Sequence, residues 1–128
     1  MDSVTHFEIP CKDQPRMQKF YEDVFGWKIT KLPDMDYHWV TTTESDPDTW
    51  MPKSPGAING GMRRKEAPAD GPVIVLSVKS LDESLRTVTE SGGSITFPKK
   101  EVGKHGFYAQ VSDIEGNVLG LWQSKPCD

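Results

Sequence analysis

The feature that most constrains this sequence is an internal repeat, in which one strand–helix–three-strand order occurs twice. With a shift of 66 or 67 residues, Asp13 aligns with Ser80 and FGWKIT aligns with SGGSIT. A polar segment that contains Pro and Gly, KEAPADGP, separates the two copies. Because 128 residues suit one domain, the repeat predicts a single α+β domain of two tandem β-α-β-β-β modules. Module one spans about 3–64, the linker about 65–72 and module two about 73–123.

One helix is predicted in each module. Asp13 is a good N-cap, Pro15 follows in the first turn, and Gly26 ends the helix. The apolar residues between them have the spacing of one buried helical face: Met17, Phe20, Tyr21, Val24 and Phe25. The second helix is capped by Ser80 and ended by Gly92 and Gly93, and its apolar residues are Leu81, Leu85 and Val88.

The strand signals differ between the segments. VTHFEIP alternates as a strand does under one covering helix, whereas the apolar run VIVLSV at 73–78 is typical of a strand covered on both faces. DIEGN, before the final strand VLGLW, predicts a hairpin turn. The long loop at 44–57 carries Trp50 and Met51, and such loops are often functional, so we expect it to cover a cavity or another subunit.

Composition narrows the function classes. Lys and Arg total 15 against 19 for Asp and Glu, and the basic residues are scattered, which argues against nucleic acid or an anionic membrane as partner. No apolar segment approaches about 18 residues and no signal peptide is evident, so we expect a soluble, cytoplasmic protein. Cys11 and Cys127 have neither metal-site spacing nor the density of a disulfide framework, and both are predicted to be free thiols.

The paired modules, with HFEIP.KD, FYEDVFGW and GG early and D.EGN.LGLW late, resemble the vicinal oxygen chelate superfamily. That superfamily includes glyoxalases, bleomycin-resistance proteins and extradiol dioxygenases, and the resemblance covers nearly the whole chain. It implies curled mixed sheets around a cavity, with the helices outside, and a homodimer. It also implies a divalent metal that chelates two neighbouring oxygens of the substrate.

The resemblance further implies up to four His or Glu metal ligands, on the first and last strands of each module. His6 matches the first ligand. The others fall on Val73, among Gly60, Gly61 and Met62, and on Gly120. A single ligand cannot hold a metal, so we expect no cofactor beyond a weakly bound divalent metal. On this interpretation Gly120 leaves space where a metal-binding carboxylate could project.

His6 and Glu8 share one strand face and are the candidate catalytic residues. His6 suits either hydrogen bonding in a pocket or acid–base catalysis, and Glu8 suits an ion pair better than catalysis. We expect His38 in solvent and His105 in a turn. The predicted cavity lining is His6, Trp39, Trp50, Met62, Val73, Tyr108, Gly120 and Trp122, with core packing as the alternative for the aromatic residues.

The leading interpretation is a protein that binds a small organic molecule in an internal cavity, without the usual metal site. One alternative is a glyoxalase-like lyase or isomerase that uses His6 or Glu8 as acid and base. The other is a non-catalytic protein that sequesters a drug or serves as an accessory subunit.

Overall fold

The computed structural model describes residues 1–49 and 51–126 and divides into two compact units. One unit is His6–Pro72, and the other combines Met1–Thr5 with the chain from Val73 onward. Each contains one helix and four strands, which confirms the α+β class and the repeated β-α-β-β-β order. Trp50 and Cys127 lie outside the described residues. The assignment of the chain to a single domain and the enclosed cavity stay predictions.

The first unit has a mixed sheet in the order β2-β3-β4-β1. β1 and β4 run parallel, whereas β3 is antiparallel to both β2 and β4. The elements are β1 (Val4–Cys11), α1 (Gln14–Phe25), β2 (Lys28–Lys31), β3 (Tyr37–Thr41) and β4 (Gly60–Arg64).

α1 begins and ends as predicted, but its apolar face is not buried. The Asp13 side chain accepts a hydrogen bond from the Arg16 N–H, and Gly26 adopts φ 72° at the C-cap. Met17 and Tyr21 pack against the core of this unit, which comprises Cys11, Ile29, Val40 and Met62. The other three apolar residues project outward and are exposed: Phe20, Val24 and Phe25. Neighbouring helical residues point about 100° apart, and the sheet covers only the row of Met17 and Tyr21.

The second unit repeats the arrangement in the order β5-β8-β7-β6, with β5 parallel to β8. Its elements are β5 (Val73–Ser77), α2 (Leu81–Glu90), β6 (Ser94–Val102), β7 (Gly106–Ser112) and β8 (Val118–Ser124). α2 buries Leu81 and Leu85, and the Ser80 hydroxyl accepts a hydrogen bond from the Glu83 N–H. β6 extends well beyond the predicted SIT.

Two local expectations in this unit have different outcomes. The run VIVLSV is not covered on both faces, because Ile74 is exposed and lies outside the core that α2 covers. The hairpin at DIEGN is confirmed, since Asp113 Oδ1 accepts from the N–H groups of Glu115 and Asn117, and Gly116 has φ 86°. His105 lies in a turn, as expected.

Within the described residues, neither helix is long and apolar enough to span a membrane.

Candidate functional site

Alternation along β1 separates two faces of the first unit's sheet. Phe7 and Cys11 belong to the α1 side, so His6 and Glu8 point to the other side. The strand register places four further residues with them, because Trp39 and Glu8 each pair with Gly61 and Tyr37 pairs with Arg63. We call this surface the His6 face; its residues are His6, Glu8, Tyr37, Trp39, Gly61 and Arg63.

His6 is partly buried and contacts two aromatic side chains on this face. Its Nε2 forms a 2.8 Å hydrogen bond with the Tyr37 hydroxyl, and its ring centroid lies 5.4 Å from that of Trp39. Burial lowers the pKa of His6 from 6.5 to about 4. The imidazole is therefore neutral at pH 7 and acts as a hydrogen-bonding group rather than as a cation.

Glu8 belongs to an ionic cluster with Arg63 and Asp70. Glu8 is only 6% exposed, and its Oε1 lies 3.7 Å from Arg63 Nε. The two terminal nitrogens of Arg63 donate to the Asp70 carboxylate at 2.6 and 2.8 Å. Asp70 also accepts a hydrogen bond from the Glu66 N–H. The paired hydrogen bonds from Arg63 to Asp70 therefore attach the linker to β4. In this geometry Glu8 has an ion-paired structural role.

Asp70 should make the stability of the protein depend on pH in the acidic range. Hydrogen bonds from Arg63 lower the pKa of Asp70 from 3.8 to about 2. A carboxylate with a lowered folded-state pKa stabilises the fold above its unfolded pKa, and this contribution is lost as the pH falls from about 4 towards 2. After allowance for solvent screening, we expect Asp70 to contribute about 1–2 kcal/mol near neutral pH.

The measurement is urea unfolding of the wild type and Asp70→Asn at several pH values between 6 and about 2.5. The difference in unfolding free energy should be largest at pH 6 and shrink as the pH falls. An equal difference at every pH would contradict the assignment.

Gly61 is the glycine of the GG pair that belongs to the His6 face. The Tyr37 hydroxyl occupies the place where a Cβ of residue 61 would lie. Gly60 instead lies on the α1 side under the Phe7 ring. Met62, predicted to line the cavity, lies in the core on the α1 side and is 1% exposed. The side chain of Met62 therefore does not belong to the His6 face, because alternation turns it towards α1.

Gly120 has a similar cover in the second unit. It pairs with Val75 and Gln110, on the sheet face opposite the core residue Leu121, and its φ is not left-handed. A Cβ there would lie 2.9 Å from both the Tyr108 hydroxyl and Val75 Cγ2. The expected space for a carboxylate is therefore absent. A hydrogen bond of 2.8 Å from Gln110 Nε2 to the hydroxyl supports this position of Tyr108.

The remaining predicted lining residues share the face of Gly120. Val73 lies two residues before Val75 and is buried, and Trp122 pairs with Ser77 and Tyr108. The Trp122 indole donates to the Ser124 hydroxyl at 2.9 Å. Apart from Met62, the described residues of the predicted lining lie on one sheet face of their own unit, whereas their contact with a ligand stays a prediction.

The residues at the four implied ligand positions do not fit a divalent metal. They are His6, Val73, one residue among Gly60, Gly61 and Met62, and Gly120, which together provide one imidazole, and tyrosine hydroxyls cover Gly61 and Gly120. Zinc sites need at least three protein ligands, and harder divalent cations need several oxygen donors. Among residues 1–49 and 51–126, no group of three or more His, Cys, Asp or Glu side chains is placed to hold a metal.

His38 lies on the α1 side and not in open solvent. It lines a small depression of about 40 Å³ together with Cys11 and Met62, and burial lowers the pKa of His38. Burial also raises the pKa of the Cys11 thiol, which disfavours the reactive thiolate.

Three residues of the site were missed from sequence: Tyr37, Arg63 and Asp70. Alternation with Trp39 and with Gly61 could have identified Tyr37 and Arg63 as residues of the His6 face. No sequence signal indicates Asp70, because its position depends on the path of the linker.

Comparisons of the sequence with known proteins find relatives that are described as glyoxylases or as bleomycin resistance protein-like. A family model described as bleomycin resistance protein-like N-terminal matches residues 3–43. A glyoxylase-like domain-containing protein of Didymella fabae is 31% identical over 123 residues, covering 92% of this chain and 91% of that protein. CFP32 of Mycobacterium bovis, a candidate glyoxylase, is 26% identical over 125 residues, which cover 92% of this chain. The match spans 44% of the length of CFP32.

Solved structures share the fold at low sequence identity. The hypothetical protein BH1468 of Bacillus halodurans has a TM-score of 0.66 at 15% identity, covering 99% of this chain and 97% of that one. A glyoxalase/bleomycin resistance protein/dioxygenase superfamily member from Vibrio splendidus has a TM-score of 0.62 at 15% identity, covering 97% and 100%. At this identity the likeness establishes the architecture alone.

Proposed function

Because this chain belongs to the vicinal oxygen chelate superfamily, we propose that it is a metal-independent member that binds a small organic molecule on the His6 face. The observation that carries the proposal is the cover over Gly61: the Tyr37 hydroxyl occupies the position from which a metal-binding side chain would project. Tyr37 also forms a hydrogen bond with His6, whose imidazole is the one metal-binding side chain at the implied ligand positions. The chemistry of this face is therefore hydrogen bonding and not chelation.

The His6 face supports recognition of an uncharged ligand. The neutral imidazole and the phenol hydroxyl are polar groups that recognise carbonyl or hydroxyl oxygens, and Trp39 supplies an apolar surface beside them. The guanidinium of Arg63, the cation of this face, is engaged by the Asp70 carboxylate and faces Glu8. This arrangement disfavours ligands that carry a carboxylate or phosphate, because the Arg63 guanidinium is already engaged by the carboxylates of the protein.

The acid–base alternative draws less support from the same geometry. With a pKa of about 4, His6 is too rarely protonated to serve as a general acid at pH 7, and it is a weak base. The Glu8 carboxylate lies beside Arg63 in the ionic cluster. We therefore propose a non-catalytic binder, which matches the sequestering alternative better than the lyase or isomerase.

The metal-independent part of the proposal predicts that divalent metals do not stabilise the fold. A metal that bound the native state would raise the melting temperature by mass action. We expect EDTA, zinc, nickel, iron and manganese each to move the melting temperature by less than about 1 °C. A rise of several degrees with one metal, abolished by His6→Ala, would overturn this part of the proposal.

The ligand-binding part can be tested by nuclear magnetic resonance on the ¹⁵N-labelled protein. A panel of neutral aromatic alcohols and ketones should shift the indole signal of Trp39. Trp27 is an internal control because it stacks on Tyr21 on the α1 side, and its signal should not move. The corresponding carboxylates, such as benzoate beside benzyl alcohol, should bind less well. Shifts confined to Trp27, or stronger binding of the carboxylates, would contradict the proposed site.

A further inference from the structure

The imidazole of His6 has one engaged ring nitrogen and one accessible ring nitrogen. Nε2 forms the 2.8 Å hydrogen bond with the Tyr37 hydroxyl. Among residues 1–49 and 51–126, no group of the protein forms a hydrogen bond with Nδ1, and Nδ1 is not fully buried. A ligand on the His6 face can therefore contact Nδ1.

The ring of His6 is held in one orientation on this face. The hydrogen bond fixes the position of Nε2, and the Trp39 ring lies beside the imidazole at 5.4 Å between centroids. Tyr37 reaches His6 because the neighbouring strand has Gly61, where the missing Cβ leaves room for the tyrosine hydroxyl. A side chain that is already positioned loses less conformational entropy when a ligand binds.

The hydrogen bond at Nε2 also determines which ring nitrogen carries the proton. A neutral imidazole has one donor nitrogen and one acceptor nitrogen, and a hydrogen bond to one nitrogen selects the tautomer. An imidazole nitrogen is a stronger base than a phenol oxygen, and a phenol hydroxyl is a stronger acid than an imidazole N–H. The favoured direction is therefore from the Tyr37 hydroxyl to His6 Nε2, which leaves the ring proton on Nδ1.

We infer that His6 Nδ1–H is the hydrogen-bond donor that selects the ligand, and that this ligand carries a carbonyl oxygen next to an aromatic ring. The inference rests on the proposed function of the His6 face and names the ligand class. The carbonyl oxygen accepts from Nδ1–H while the aromatic ring packs on Trp39. Tyr37 is a positioning residue, because it selects the tautomer of His6. A compound without an acceptor gains no hydrogen bond from Nδ1–H.

The tautomer of His6 can be measured without any ligand. Long-range ¹H–¹⁵N correlation spectra of the labelled protein at neutral pH distinguish a protonated ring nitrogen from an unprotonated one, and His6→Phe assigns the signals by removing them. The wild type should carry the proton on Nδ1. A wild type protonated at Nε2 would overturn the inference and leave the proposed binding function standing.

Two tyrosine variants test the role of Tyr37. Tyr37→Phe removes the hydroxyl and keeps the ring, so the signals of His6 should become an average of both tautomers. Tyr21→Phe is the matched control, because Tyr21 packs on the α1 side of the sheet. It should leave the tautomer of His6 unchanged. An unchanged tautomer in Tyr37→Phe would show that Tyr37 does not select it.

A pair of ligands of nearly the same shape tests the selection. Acetophenone carries a carbonyl oxygen, whereas α-methylstyrene has a CH₂ group in its place and cannot accept a hydrogen bond. Titration followed by the Trp39 indole signal gives the ratio of the two affinities. This ratio should favour acetophenone in the wild type and fall by about 10-fold in His6→Phe, which removes the donor.

The outcomes of the titration separate the inference from the proposed function. An equal ratio of affinities in the wild type and His6→Phe would overturn the inference, although binding at Trp39 would still support the proposed function. If neither compound shifts the Trp39 signal at any concentration, the proposed function fails and the selected ligand class fails with it. Tyr21→Phe should keep the wild-type ratio, and a fall in that control would show that the ratio does not report on His6.

Discussion

Replacing Gly61 with alanine should be among the most destabilising single-methyl changes in this protein. The new Cβ would occupy the place of the Tyr37 hydroxyl, so the tyrosine must move and its hydrogen bond to His6 must break. Overpacking together with the loss of that bond should cost about 2–4 kcal/mol. The melting temperature should fall on the order of 10 °C.

The glycines of the chain provide graded controls for this experiment. Gly71→Ala should be nearly neutral, since nothing lies within 4 Å of its Cβ position and its φ is not left-handed. Gly120→Ala should fall between them, because its Cβ would lie 2.9 Å from Tyr108 and Val75. In the Gly61→Ala background, Tyr37→Ala removes the clash, so the double variant should cost less than the sum of the single changes. Equal stability of Gly61→Ala and Gly71→Ala would show that Tyr37 does not occupy this position.

Arg63→Met should have the other large effect on stability. Arg63 is mostly buried and faces two carboxylates, those of Glu8 and Asp70. Removing the cation leaves a buried negative charge beside a second one, and breaking such a pair typically costs about 3–5 kcal/mol. Urea unfolding at pH 7 measures the loss directly.

The neighbouring arginine is the control for this substitution. Arg64 pairs with Asp36 at 3.0 Å, but both side chains are mostly exposed, so Arg64→Met should cost no more than about 1 kcal/mol. Adding Glu8→Gln to Arg63→Met should recover part of the lost stability, because the buried charge is removed with its partner. Similar losses for Arg63→Met and Arg64→Met would contradict the ionic cluster as a stabilising feature.

The sequence predicted those features that depend on short stretches of chain. Asp13 and Ser80 begin the helices, Gly26 ends the first, and Asp113–Asn117 forms the hairpin, since each signal acts through backbone bonds a few residues away. The repeated module order followed from the succession of these local signals. Alternation also placed His6 and Glu8 on one face of their strand, because the side-chain period of a strand is fixed.

Other features depended on which elements meet, and local patterns do not contain that information. Helical spacing grouped Phe20 with Met17 and Tyr21, but the sheet covers only part of that apolar face. The absence of a side chain at Gly120 suggested open space, whereas Tyr108 from the neighbouring strand covers this position. The linker residue Asp70 reaches Arg63 only through the path of the folded chain. Sequence alone thus determined the elements and the family, and tertiary structure decided which faces are covered, because burial depends on contacts between residues distant in sequence.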